Sequence, residues 1–352
     1  MPVSGYDAGT PSLTHVGTDV HVVRKYAGGV LLPSGKVVFV PYDADKVGIF
    51  DPATETLSPV GPTISGNLKY FGGVLLPSGK VVFVPFVALN VGVFDPTTDT
   101  LSLVDISGTI STAHNYACGV LLPSGRVVFV PWVANRVGIF DPATGTFSLV
   151  GPTISGTWKY FGGVLLPSGK VVFVPYVADN VGIFDPATDA FSIVAPTTPG
   201  GYGSENFGGG VLLPSGKVVF VPFKADAVGI FDPATNAFSL VGDASNLGNN
   251  KYLGGVLLPN GKVVFVPYYA DVDAGVFDPA TDTLSTVGPS IAMSVPKSYG
   301  GVLLPSGKVV FVPHTSAQMV VFNPGNAEPA YTVEGGVSDA WRALLSPQFN
   351  KF

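Results

Sequence analysis

The chain has 352 residues, 46% of them hydrophobic and 12% charged, with a net charge of −6 and a single cysteine, Cys118. One thiol excludes an internal disulfide framework, and a mildly acidic chain without a basic run lacks a nucleic-acid footprint. No apolar run approaches the roughly 18 residues of a membrane helix, because every Val-Val-Phe-Val is bracketed by Lys or Arg and by Pro.

The N-terminus, MPVSGYDAGT, has no charged segment followed by an apolar one. A secretory leader is therefore not expected, and a cytoplasmic or virion-associated location is expected over a secreted one. Residues 1–12 read as a tail. LTHVG at 13–17 precedes Lys25-Tyr26 at the offset at which LSPVG at 57–61 precedes Lys69-Tyr70. It reads as an outer strand without a blade of its own, able to complete the last blade and close a ring.

The Pro of Leu-Leu-Pro then recurs at Pro33, Pro77, Pro123, Pro167, Pro214, Pro259 and Pro305, at spacings of 44, 46, 44, 47, 45 and 46 residues. A period near 45 suits a four-stranded propeller blade. Within each copy, GGVLL is a short inner strand and PSGK a tight turn. VVFV is a β-branched run that expects burial on both faces. A loop such as PYVADN leads to VGIF, DPAT makes the next turn, and FSLV is the outer strand. The predicted fold is all-β, a seven-bladed propeller of four-stranded antiparallel blades over residues 13–335. It is closed by the N-terminal strand and followed by a 336–352 tail with a short capped helix at SDAWRALLS, 338–346. AYTV at 330–333 is a rival for the closing slot.

The stretch VLLPSGKVVFV…VGIFDPATDAFS resembles the kelch and galactose-oxidase type of propeller repeat, with its LLPDGKV hairpin and YDPATGTW strand pair. The resemblance covers all seven copies. One departure is that Val-Pro-aromatic, as at Val174-Pro175-Tyr176, stands where kelch repeats end the second strand in a double glycine. The resemblance implies the fold and a tendency toward binding roles.

Alternating strands sort the connections onto two faces. The tight-turn face carries Lys36, Lys80, Arg126, Lys170, Lys217, Lys262 and Lys308 beside Asp51, Asp95, Asp141, Asp185, Asp232 and Asp278. These read as turn residues with compensated charge, or alternatively as an anion-binding face. On the loop face, Lys25-Tyr26, Lys69-Tyr70, Asn115-Tyr116, Lys159-Tyr160, Asn206-Phe207 and Lys251-Tyr252 lead into the inner strands and are expected to rim the central channel. A second set follows VVFVP: Tyr42, Phe86, Trp132, Tyr176, Phe223, Tyr268 and His314, with Asp45, Asn90, Asn135, Asp179, Asp226 and Asp271 behind it. Aromatic faces beside amide, carboxylate and ammonium groups suit sugars or peptides. The competing reading is that the rings cover the gaps between blades.

Catalytic motifs are missing. The four histidines have no metal spacing, no Gly-x-Ser-x-Gly occurs, and near-identical blades offer little of the asymmetry that catalysis needs. Cys118 stands where Gly162 stands in the next copy and reads as a small buried thiol. Asymmetry is greatest in APTTPGGYGSENF (195–207) and GDASNLGNNKY (242–252), which directs attention to Tyr202, Glu205, Trp132, Trp158 and His114. The expected function is a non-catalytic binding module for a carbohydrate or a protein or peptide partner, with seven similar loop-face sub-sites and no cofactor or metal. The candidate ligand-binding residues are Lys69, Tyr70, Tyr116, Trp132, Trp158, Lys159, Tyr160, Tyr176, Glu205 and Tyr252. A structural or assembly role in a virion or matrix is the alternative, and an enzyme with its site in the irregular segments the third reading.

Overall fold

The structure, a computed structural model, describes residues 10–17, 24–110, 114–196, 205–269, 273–288, 297–316 and 318–325. Seven four-stranded antiparallel sheets make up almost all of it. Blade 1 sets the pattern with strands Tyr26–Leu31, Val37–Pro41, Val47–Asp51 and Thr56–Val60, counted from the inside outward. Blades 2 to 7 begin at Tyr70, Tyr116, Tyr160, Phe207, Tyr252 and Ser298. Inner strands of successive blades pack on one another, and that of blade 7 packs on that of blade 1, so the ring closes. The single described helical turn is a 3-10 helix at Ser245–Leu247. No described helix is long and apolar enough to cross a membrane.

The ring is closed by the N-terminal strand. Ser12–Val16 pairs antiparallel with Met319–Asn323, with Leu13 opposite Phe322 and His15 opposite Val320. It takes the outermost position of blade 7. The rival segment at 330–333 and the helix expected at 338–346 lie outside the described residues.

Burial follows the repeat. Every residue of the second strands, Val37–Pro41 and its six counterparts, is buried. These strands are covered on both faces by neighbouring blades, which is why the run reads as continuously apolar. Each inner strand carries a register shift, between Tyr26 and Gly29 in blade 1 and at the matching place in the other six. The first glycine of the pair sits in that bulge at positive φ, for example Gly28 at 91° and Gly162 at 99°. Cys118 fills this place in blade 3 without a positive φ; its thiol is buried and in no disulfide.

The second glycine is a contact point between blades. A Cβ on Gly163 would stand 2.7 Å from a methyl of Val120 and 2.8 Å from one of Val130, both in the preceding blade. Gly29, Gly73, Gly119, Gly210, Gly255 and Gly301 meet two valines of the preceding blade in the same way. Two methyl groups thus enter a socket that only a missing side chain leaves open.

Filling that socket forces blades apart that are otherwise packed to crystal-like density. Gly163→Ala is expected to lower the unfolding free energy by about 1–3 kcal/mol, read as a lower denaturant midpoint with an unchanged slope.

Candidate functional site

The Lys-Tyr residues expected to rim the channel are buried, and that expectation is corrected. Tyr70, Tyr116, Tyr160 and Tyr252 turn into their own blades rather than toward the axis. Tyr160 lies over Phe173 at 5.7 Å between centroids, and its ring fills the space beside Gly182. Tyr116 and Tyr252 pack in the same way, against Phe129 and Gly138 and against Phe265 and Gly275. The Tyr70 hydroxyl bonds Asn90 within its blade. Side chains alternate along a strand, so the following residue faces the axis: Ala27, Phe71, Ala117, Phe161, Leu253 and Tyr299.

Lys69 and Lys159 are buried too, and they tie blades together. The Lys159 ammonium donates to the carbonyls of Gly156 at 2.8 Å and Val133 at 3.2 Å, in the segment that leaves the preceding blade. Lys69 donates to Gly66 at 2.7 Å and Lys251 to Ala225 at 3.1 Å. Burial lowers all three ammonium pKa values, Lys159 to about 8. Asp43 and Asp45 oppose the shift at Lys69, and Asp226 opposes it at Lys251.

The post-proline aromatics form a ring around a filled axis. Tyr42, Trp132, Tyr176, Phe223, Tyr268 and His314 meet one another or share the inner rings of Phe71, Phe161 and Tyr299. Phe71 reaches Phe161 at 5.2 Å and Tyr299 at 5.4 Å, across the axis from different blades. Aromatic rings therefore plug this end of the channel. His314 stacks on Tyr299 at 3.7 Å, and its Nδ1–H donates to the Tyr26 carbonyl at 3.1 Å. Burial lowers its pKa from 6.5 to about 4.

What reaches solvent on this face is a pair of positions whose recurrence from blade to blade sequence reasoning did not note, although it singled out His114, Trp158 and Glu205 individually. Two residues before the inner strands of blades 1 to 6, the backbone enters the left-handed region at a residue other than glycine: Arg24, Leu68, His114, Trp158, Glu205 and Asn250, with φ between 53° and 70°. Such a conformation costs about 1 kcal/mol or more. A repeated hydrogen bond imposes it: the carbonyl of this residue accepts the N–H of the residue after the post-proline aromatic. The bonds run from Asp43 to Arg24, Val87 to Leu68, Val133 to His114, Val177 to Trp158 and Lys224 to Glu205, at 3.0–3.2 Å.

The left-handed position differs in all six of these blades, while its partner is Asp43 in blade 1, valine in blades 2 to 4 and Lys224 in blade 5. Blade 1 carries an Arg24–Asp43 ion pair at 2.9 Å, and blade 5 the reversed pair of Lys224 with Glu205. Between them blades 2 to 4 carry Leu68 with Val87, His114 with Val133 and Trp158 with Val177. Three of the left-handed residues lie against the aromatic of the preceding blade. His114 meets Phe86 edge-on at 4.8 Å, Trp158 lies near-parallel to Trp132 at 6.5 Å, and the Glu205 carboxylate lies near the Tyr176 hydroxyl, whose pKa is raised by burial and by this carboxylate. Trp158 is 49% exposed. Leu89 is exposed beside this arc, in the place of Asp45 and Asn135, since its carbonyl makes the same bond to the following segment. Asn90, grouped with those residues from sequence, is one position further on. Tyr202 and Asp271 lie outside the described residues.

Of the ten candidate residues, Trp132, Trp158, Tyr176 and Glu205 come together on this face, with Tyr176 mostly covered. The other six hold the blades. Seven similar sub-sites do not result, because the similar residues are the buried ones. On the opposite face the cations are paired within their blades: Lys36 with Asp51, Lys80 with Asp95, Lys170 with Asp185 and Lys262 with Asp278, at 3.0–3.5 Å. Among the described residues, no three His, Cys, Asp or Glu side chains gather as a metal site.

No protein-family model matches the chain, and no curated protein does. Among solved structures, a streptogramin B lyase superposes with a TM-score of 0.73 at 15% identity, over 88% of this chain and 97% of that one. Virginiamycin B lyase from Staphylococcus aureus gives 0.71 at 11% identity, over 88% and 98%. An extracellular domain from B. thetaiotaomicron gives 0.65 at 9% identity, over 89% of this chain and 42% of that one. At these identities the likeness shows the fold, a seven-bladed propeller, and does not extend to the kelch family. The expectation that the chain is not an enzyme is corrected. Lyases are built on this ring, so regular blades are no bar to catalysis, although no catalytic residue carries over at such distance.

The buried His314 makes stability depend on pH. Between pH 6.5 and about 4 the unfolded chain binds a proton that the folded chain does not. Stability is therefore expected to fall by about 3 kcal/mol as pH drops through that window and to level off below it. His314→Phe, the residue that blades 2 and 5 carry at this place, loses the bond to Tyr26 at neutral pH but should flatten this limb. Denaturant midpoints at pH 7, 5.5 and 4 check it.

Proposed function

We propose that the protein is a ligand-binding propeller with one asymmetric site on its loop face, running from the apolar arc of blades 2 to 4 to the Glu205–Lys224 pair of blade 5. The observation that carries this reading is Trp158. It is half-exposed, in a left-handed conformation that disfavours a bulky side chain, at a position whose chemistry differs in every described blade. Buried positions in the same copies scarcely vary. Exposed aromatic surface next to oriented polar groups is the usual composition of a recognition site. The kelch-like repeat is in keeping with binding roles, and one structural neighbour, at 12% identity, was solved with quinupristin.

Assembly is a second reading, favoured by Leu103, Ile193 and Leu240, which are exposed on the outer strands of blades 2, 4 and 5. A chain that sediments as a monomer at high concentration would remove it.

Trp132 and Trp158 supply two of the three tryptophans, so ligand addition is expected to change intrinsic fluorescence. For a ligand so identified, Trp158→Ala should weaken binding by about tenfold or more, roughly 1.4 kcal/mol, with an unchanged melting temperature. Lys36→Ala, on the opposite face, should leave binding intact. Unaltered affinity in Trp158→Ala would move the site elsewhere.

A further inference from the structure

Resting on the loop-face reading, we infer that the ligand is a saccharide, stacked on the Trp158–Trp132 platform and read at its hydroxyl rim by Glu205. Four side chains from three blades stand in one line. Trp158 lies within 27° of parallel to Trp132, Trp132 meets Tyr176 at 4.7 Å, and the Glu205 carboxylate lies near the Tyr176 hydroxyl. Lys224 pairs with the same carboxylate. The line therefore runs from an exposed indole face to a carboxylate with an ammonium beside it.

A pyranose ring has matching chemistry. Its axial C–H groups present an apolar face that stacks on an indole, and its equatorial hydroxyls present adjacent donors and acceptors. A carboxylate oxygen accepts from such a hydroxyl, and an ammonium donates to the next one. Glu205 is fit for this role because it is held by Lys224 and still open, with its side chain 22% accessible and that of Lys224 34%. Charge-assisted hydrogen bonds of this kind are about twice as strong as neutral ones.

Peptide recognition asks for something else. Strand addition needs a free sheet edge, and a helix needs a long apolar groove. The free edges of these blades lie on the outer circumference, at strands such as Thr146–Val150 and Ala190–Pro196, away from this line. The apolar part of the line is two indoles and one phenol.

The test screens the full chain against an array of neutral and acidic oligosaccharides and against a random peptide library. Hits are then titrated by tryptophan fluorescence into the parent, Trp158→Ala and Glu205→Gln. The Gln side chain keeps the shape without the charge, and melting curves check the fold of each variant. The expected result is saccharide binding weakened about tenfold or more by either substitution. Saccharide binding indifferent to Glu205→Gln would overturn the role given to Glu205. Peptide binding alone, lost in Trp158→Ala, would overturn the saccharide and leave the loop-face site standing. Binding to neither library would overturn both.

Discussion

Two valine methyls set against a glycine of the next blade form the contact on which the ring depends. It recurs at all seven junctions, from Gly29 against Val302 and Val312 round to Gly301 against Val256 and Val266. A closed ring of equal blades tolerates little variation at such a contact, because a change in one blade-to-blade spacing must be absorbed by the others. The sequence near it is accordingly almost invariant. Val-Val-Phe-Val with Pro ends the second strand in every blade, and the second glycine of the inner strand is present in every copy.

The loop face is freed from that constraint by its backbone. In blades 1 to 5 the left-handed residue before the inner strand is fixed by a main-chain bond to its carbonyl, so its side chain contributes little to shape. Arg, Leu, His, Trp, Glu and Asn occupy equivalent places without disturbing the strands that follow. Beneath them the aromatic plug around Phe71, Phe161 and Tyr299 fills the axis, so the face they form is shallow rather than a channel mouth. Repetition builds the platform, and departures from repetition give it a direction.

The architecture was legible because its signals are local and occur seven times. The spacing of Leu-Leu-Pro, the turn residues and the offset of the N-terminal strand define the blades and the closure. The site was legible only in part. Lys-Tyr looked like a rim because it repeats and leads into the inner strand, yet alternation along that strand sends the tyrosine inward and its successor to the axis. A lysine at a repeated position suggested an open charge, whereas its ammonium satisfies carbonyls of the neighbouring segment. Trp132, Trp158 and Glu205, singled out from the departures between copies, are the candidates that the fold brings together on the loop face. The missed signal was the in-register comparison of the copies at positions 24, 68, 114, 158, 205 and 250. The absence of a catalytic motif was given too much weight, since the fold also carries lyases.

The strand that closes the ring is made first and used last. Thr14 reaches across to the carbonyl of Val321, 307 residues away. Until blade 7 exists, Ser12–Val16 has no partner sheet, and blade 1 lacks a neighbour on one side. Closing so long a loop costs little more entropy than closing a shorter one, but it waits on every intervening blade. Until then, seven nearly interchangeable units each offer the wrong neighbour as well as the right one, and the latch is what distinguishes a complete circle from a chain of well-formed blades.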